Sequence, residues 1–200
     1  MTRTFIALEL DESLRHLLDS VIDGLAHRLP GVRWVDPAGI HLTLAFLGEL
    51  SDEQLAAAGR AAAVAAQQSR PFELCLKDLG AFGSPRHPRV IWMGIEESSG
   101  NLVRLHSILH RELLQRGFEV DTRPFSPHLT LARVKQPLSP VELQTLQRLL
   151  ASKASASSSS RQYMRHLSVM KSELSRSGAR YTCLQAYALG NHSDSSGEME

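Results

Sequence analysis

One pentapeptide, His-Leu-Thr-Leu-Ala, occurs twice in this chain of 200 residues, beginning at His41 and again at His128. The separation is far longer than the roughly 20–50 residues of a solenoid repeat, and it suits two similar half-domains that face each other. We therefore expect each half to contribute one copy to a shared cleft.

Each copy has the pattern of a short β-strand, in which side chains alternate between two faces. This alternation places His41, Thr43 and Ala45 on one face and Leu42, Leu44 and Phe46 on the other. It also places His128, Thr130 and Ala132 together, opposite Leu129 and Leu131. We predict that the leucines point into the core and that both His/Thr pairs point outward into the cleft.

Two outward His/Thr pairs are suited to displacement at phosphorus. That reaction needs a base for the attacking oxygen and an acid for the departing oxygen, on opposite sides of the phosphorus. Histidine, with an ordinary pKa of about 6.5, serves in either role, and threonine hydroxyls can donate hydrogen bonds to the phosphate oxygens. A lone strand histidine is usually structural, but two pairs in the same register favour catalysis. This chemistry requires neither a metal nor a cofactor, and the near-symmetry leaves the acid and the base unassigned.

Composition excludes several other classes of protein. The net charge is +1, from 22 basic and 21 acidic residues, which is unlike the strongly basic signature of a duplex-DNA binder. The two cysteines form no Cys-x-x-Cys motif, which argues against a disulfide scaffold or a thiolate metal site and fits a reducing compartment. Acidic residues at 11 and 12 interrupt the N-terminus before any signal peptide or membrane span develops. We expect a cytoplasmic monomer that is not bound to membranes.

Periodicity predicts an alternation of strands and helices, in which the order strand, helix, His-x-Thr strand occurs twice. We predict one bilobal domain over 1–189, a mobile Ser-rich loop at 151–160 and a disordered tail at 190–200; a capped helix end is the alternative for the Ser-rich segment. The predicted strands are 3–10, 41–48, 72–79, 90–95, 163–169 and 181–189, and the segment 124–134 contains the second repeated strand. The last two strands could form a hairpin. The predicted helices are 11–29, 51–67, 101–116 and 139–150.

Other polar and aromatic features give weaker signals. His106 and His110 have the spacing of metal ligands on a helix, but no third ligand is evident, so we favour ordinary helix-flank residues. The segment 80–89 is predicted to be a loop, and its Arg86, His87 and Arg89 suit either an RNA backbone or a solvated surface. The two tryptophans are expected in the core. The chain has no P-loop, which weighs against ATP-dependent ligation.

At the two motifs the sequence closely resembles the two-histidine phosphoesterase superfamily, and within it the bacterial and archaeal RNA 2′,3′-cyclic phosphodiesterases, historically called 2′-5′ RNA ligases. The resemblance spans nearly the whole chain before the tail. It includes RTFIALEL from Arg3, VRWVDPAGIHLTLAFLGEL from Val32, LGAFGSPRHPRVIWMGI from Leu79, RPFSPHLTLARV from Arg123 and GARYTCLQAY from Gly178.

This resemblance implies an α+β, bilobal, pseudo-twofold fold in which two antiparallel sheets flank a central cleft and the helices lie outside. It also implies hydrolysis of terminal 2′,3′-cyclic phosphates, on RNA ends or small nucleotides, to 2′-phosphates. By the same resemblance, His41 is the proton donor, His128 is the proton acceptor, and Thr43 and Thr130 donate hydrogen bonds to phosphate oxygens.

Two flanking residues also match the family pattern. Phe46 corresponds to a nucleobase contact and Arg133 to a phosphate contact. Strict alternation along the strands would put both on the leucine face, so these roles require a twist or a bulge at the strand ends.

Two alternative functions stay open from the sequence. One is ATP-independent, reversible joining of RNA halves through a 2′-5′ linkage, because opposite directions share one transition state. The other is an RNA-end-binding module without catalysis, which the two intact His/Thr pairs disfavour.

Overall fold

The computed structural model describes residues 1–152, 160–175 and 178–190. Within these residues the strands are β1 (Thr2–Glu9), β2 (Arg33–Trp34), β3 (His41–Leu50), β4 (Phe72–Ser84), β5 (His87–Glu96), β6 (His128–Arg133), β7 (Arg161–Met164), β8 (His166–Ser175) and β9 (Gly178–Ala188). The helices are α1 (Glu12–Ala26), α2 (Asp52–Gln67), α3 (Asn101–Gln115) and α4 (Pro140–Ala151), and one turn of 3₁₀ helix at Pro37–Gly39 precedes β3.

The strands form two antiparallel sheets. One sheet has the order β3-β1-β8-β9, and the other has the order β2-β6-β5-β4-β7. Each sheet contains one copy of the repeated strand. The predicted α+β architecture with two antiparallel sheets is confirmed.

Three helices begin where the sequence supplies a capping side chain. The Asp11 carboxylate accepts a hydrogen bond from the Leu14 amide at the start of α1, at 2.8 Å. Ser51 and Ser139 each form a complete capping box, with Gln54 and Glu142 respectively. Such caps satisfy amides that would otherwise lack a partner at a helix N-terminus, and each contributes about 1 kcal/mol.

One large apolar core underlies both repeated strands. Leu42 and Leu44 from β3 pack in the same cluster as Leu129 and Leu131 from β6, and all four are at most 4% exposed. Burial of each such leucine contributes about 1.5–3 kcal/mol. Strands β3 and β6 are themselves in contact. The shared core therefore holds the two motif strands side by side.

Two predictions about the strands are wrong. The segment 80–89 is not a loop, because β4 continues to Ser84 and β5 begins at His87, leaving a tight turn between them. The single strand predicted over 163–169 is divided at Arg165 into β7 and β8, which belong to different sheets. In both cases long-range pairing overrides the local pattern.

The structure describes only part of the predicted Ser-rich loop, of the final hairpin and of the predicted tail. Helix α4 continues to Ala151, while residues 153–159 of the predicted loop and 191–200 of the predicted tail lie outside the described residues. Strands β8 and β9 pair antiparallel along their length, so the predicted hairpin is confirmed. None of the helices in the described ranges combines the length and the apolar character needed to cross a bilayer.

Candidate active site

The two repeated strands present the same burial pattern. His41 and Thr43 are half-buried and the leucine between them is buried; His128 and Thr130 show the same arrangement. The leucines of both strands enter the common core, so the two His/Thr pairs lie on the opposite, accessible faces of adjoining strands. The faces predicted for the histidines, threonines and leucines are the observed ones. The prediction that Ala45 and Ala132 share the His/Thr face is wrong, because both alanines are buried in the core.

A β-bulge follows the threonine in each strand. In β3, Thr43 pairs with Ala7 and Ala45 pairs with Ile6, which leaves Leu44 as an extra residue without a strand partner. A bulge of this kind places two residues of one strand opposite one residue of its neighbour. Ala45 therefore faces the core like Leu44, and the residue after it, Phe46, returns to the His/Thr face. Phe46 is 70% exposed.

Strand β6 contains a bulge at the corresponding position. Thr130 pairs with Trp92 and Ala132 pairs with Ile91, so Leu131 is the extra residue. Arg133 thereby returns to the His/Thr face and is exposed. The structure thus removes the geometric obstacle to the predicted contacts of Phe46 and Arg133, while their roles in binding stay predictions.

Both histidine rings are held by the same hydrogen bond. The Nδ1–H group of His41 donates to the carbonyl oxygen of Gly39 at 2.8 Å, and that of His128 donates to the carbonyl oxygen of Ser126 at 2.8 Å. A carbonyl oxygen can only accept, so each ring carries a proton on Nδ1. In each ring Nε2 is left to give or take a proton.

Aromatic and acidic neighbours surround His41. Phe5 stacks on its ring with centroids 4.5 Å apart, and Tyr181 meets it edge-on at 4.9 Å. Burial lowers the pKa of His41 below its ordinary value, while the Gly39 carbonyl and the Glu9 carboxylate partly oppose that shift. The Ser168 hydroxyl donates to Glu9 at 2.6 Å and orients it.

A small polar cavity of about 210 Å³ opens beside His41. Its walls come from β1, α1, β8, β9 and the turn that leads into β3. The side chains that line it include Glu9, Arg15, His41, Met170, Tyr181 and Cys183. Space that a ligand could enter therefore adjoins the ring of His41.

Different aromatic residues surround His128. Phe82 meets its ring edge-on at 4.8 Å, and the Trp92 ring lies 6.1 Å away. Gly80 has no side chain because the Trp92 indole occupies that space, and a Cβ there would overlap the indole. Trp92 pairs with Thr130 on the cleft face, so its predicted place in the core is wrong, whereas Trp34 does pack against the core.

The histidine pair on α3 contacts β3 and the segment that precedes β6. The Nε2–H group of His110 donates to the carbonyl oxygen of Leu44 at 3.2 Å, and His106 stacks on Phe125 at 3.8 Å, three residues before His128. Burial and the neighbouring His110 lower the pKa of His106 to about 4. No third metal-ligating side chain joins this pair within the described ranges. The contacts of the two rings with Leu44 and Phe125 support the interpretation as ordinary helix residues.

Several cleft residues were missed from the sequence. Phe5, Glu9 and Tyr181 reach His41 from other strands of its sheet, and Phe82 reaches His128 in the same way. None carries a local pattern, because each is a cross-strand neighbour whose place depends on sheet order. Phe82 also lay in the segment predicted to be a loop.

A family model and individual relatives with similar sequences point to the same family. The model of the 2′-5′ RNA ligase superfamily matches residues 28–173. An RNA 2′,3′-cyclic phosphodiesterase of Methanothermobacter thermautotrophicus is 30% identical over 187 residues, covering 94% of this chain and 98% of that protein. One from Geobacillus stearothermophilus is 35% identical over 147 residues, covering 74% of this chain and 46% of that protein. This chain thus spans about half the length of the Geobacillus relative.

A solved structure shares the fold. The crystal structure of E. coli LigT complexed with 3′-AMP has a TM-score of 0.73 and 27% sequence identity, covering 94% of this chain and 98% of that chain. Two antiparallel sheets, each with one His-x-Thr strand, define the class of two-histidine phosphoesterases. Within that class, the chain belongs to the 2′-5′ RNA ligase superfamily.

Proposed function

We propose that the protein is a hydrolase that opens terminal 2′,3′-cyclic phosphates of RNA and leaves 2′-phosphates. The observation that carries this proposal is the duplicated arrangement itself. Two histidines, each with Nδ1–H bound to a carbonyl oxygen and with Nε2 available, stand beside two threonine hydroxyls on adjoining strands. The names of the relatives from Methanothermobacter and Geobacillus support the same activity.

In the proposed reaction, water attacks the phosphorus in line with the bond to O3′. Nε2 of His128 takes a proton from the water as the new P–O bond forms. Nε2 of His41 gives a proton to O3′ as the P–O3′ bond breaks, and the phosphate stays on O2′. Thr43 and Thr130 donate hydrogen bonds to the non-bridging oxygens, where negative charge is concentrated.

The environment of His41 supports its role as the acid. Burial lowers its pKa, which makes its imidazolium form readier to release a proton to the departing oxygen. Glu9 opposes this shift and helps to keep that form populated. Phe46, 70% exposed beside Phe5, is proposed to contact the nucleobase, and Arg133 to contact phosphate.

Product analysis tests the proposed function. We expect the purified protein, in the presence of EDTA, to convert an RNA oligonucleotide ending in a 2′,3′-cyclic phosphate into the 2′-phosphate alone. Chromatography against synthetic 2′- and 3′-phosphate standards identifies the product. A 3′-phosphate product, loss of activity in EDTA, or an unchanged terminus would contradict the proposal.

The pH dependence tests the part played by Glu9. A carboxylate stabilises a nearby imidazolium and raises its pKa, so Glu9→Gln should lower the pKa of His41 further. Because the acid must be protonated, the alkaline limb of the kcat/KM profile should move to lower pH. Arg15, Tyr181 and Cys183 also line the cavity beside His41 and are unchanged in this variant.

Glu12→Gln is the matched control, since Glu12 is an exposed carboxylate on α1 that pairs with His16. Its profile should coincide with that of the unmodified protein. A Glu9→Gln profile that stays in place or moves to higher pH would show that Glu9 does not support a protonated His41.

A further inference from the structure

Four neighbouring strands contribute one row of side chains to the cleft face of the second sheet. Arg33 on β2 pairs with Arg133 on β6, Arg133 pairs with Val90 on β5, and Val90 pairs with Phe82 on β4. Paired residues share a face of a sheet. The row lies next to the row that contains Thr130 and Trp92.

The neighbouring positions confirm which face this is. Between the arginine row and the Thr130/Trp92 row lies a row formed by Trp34, Ala132 and Ile91. These three residues pack in the core beneath the sheet. Arg33 and Arg133 must then point to the opposite side, and both are exposed. Phe82 ends the row with its ring 37% exposed, close to His128.

The two arginines form an unfavourable pair on their own. Residues directly opposite on antiparallel strands have Cβ atoms about 4.5–5.5 Å apart, and like charges at that distance destabilise a sheet. Neither guanidinium forms an ion pair with any carboxylate in the part of the chain that the structure describes. A bound anion would remove this repulsion, and two guanidinium groups can donate several hydrogen bonds to one phosphate.

We propose that Arg33 and Arg133 bind a second phosphate of the substrate, the phosphodiester on the 5′ side of the nucleotide that carries the cyclic phosphate. This inference rests on the proposed function and names its substrate class: RNA ends in preference to cyclic mononucleotides. Arg133 lies three residues beyond Thr130, so the second site begins where the contacts to the cyclic phosphate end. The exposed Phe82 ring offers a stacking surface for the preceding base.

The test compares two small substrates. One is a nucleoside 2′,3′-cyclic phosphate with a free 5′-hydroxyl, and the other is the same compound carrying a 5′-phosphate methyl ester. The 5′-ester carries one additional phosphodiester group with a single negative charge, and it has no second base. We expect kcat/KM to be about tenfold or more higher for the 5′-ester, the size of a charge-assisted hydrogen bond.

Arg33→Gln should reduce this ratio to near one, and Arg33→Lys should keep part of it. Arg104→Gln removes the same charge from an exposed position on α3 and should keep the full ratio. Equal kcat/KM for both compounds in the unmodified protein, or a ratio that Arg33→Gln leaves intact, would overturn the inference. If neither compound is opened, the inference is overturned; the proposed function fails only if the RNA oligonucleotide with a terminal cyclic phosphate is also left unchanged.

Discussion

Replacing either His41 or His128 by alanine should lower kcat for opening a cyclic phosphate by about 10²–10⁴-fold, the usual contribution of a positioned acid or base. Each ring is half-buried and held by a single hydrogen bond to a backbone carbonyl. Substitution should therefore affect the reaction far more than the fold. Single-turnover rates with a cyclic-phosphate oligonucleotide measure the loss.

The double variant gives a stronger version of this prediction. Groups that act together on one transition state are not additive, so removing both histidines should cost little more than removing one. His16→Ala is the control, because His16 is an exposed histidine on α1 that should leave the rate unchanged. Near-normal rates in both single variants would show that these histidines are structural.

The threonines should give the next largest effect. Thr43→Val and Thr130→Val keep the shape of the side chain and remove the hydroxyl. Loss of one donor to a charged transition state typically costs about 10²–10³-fold in kcat. Because the hydroxyl is proposed to act mainly as charge develops on phosphorus, kcat should fall more than KM rises.

Serine variants at the same two positions separate the effect of the hydroxyl from the effect of side-chain packing. Thr43→Ser and Thr130→Ser keep the donor and should recover most of the rate, while Thr145→Val on α4 should have no effect. A valine variant with normal kcat, or a serine variant as slow as valine, would contradict a hydrogen bond to the reacting phosphate.

Much of the site follows from the repeated pentapeptide. Strand alternation alone places the leucines in the core and the His/Thr pairs outside it, and this is observed in both strands. The bulges also had a signal in the sequence. Leu44-Ala45 and Leu131-Ala132 are two consecutive apolar residues, which interrupts strict alternation, and all four are buried.

The surroundings of each histidine could not be predicted in the same way. Tyr181 reaches His41 only because β9 joins β8 and β1 in one sheet with β3, an order that brings together residues from both ends of the chain. Phe82 and Trp92 reach His128 because the β4–β5 hairpin continues through a segment rich in glycine and proline. Gly80 accommodates an indole there, whereas local pattern analysis takes such a glycine for a loop.

A substrate that needs no acid tests the central claim most directly, that the two histidines act on opposite sides of one phosphorus with His41 as the acid. In a terminal cyclic phosphate whose bridging 3′ oxygen is replaced by sulfur, the leaving thiolate has a conjugate-acid pKa of about 8.5, by analogy with cysteine, and departs without a proton. We predict that His41→Ala opens this compound at close to the unmodified protein's rate, while His128→Ala stays slow. Recovery of the His128→Ala variant instead, or of neither variant, would contradict the assignment.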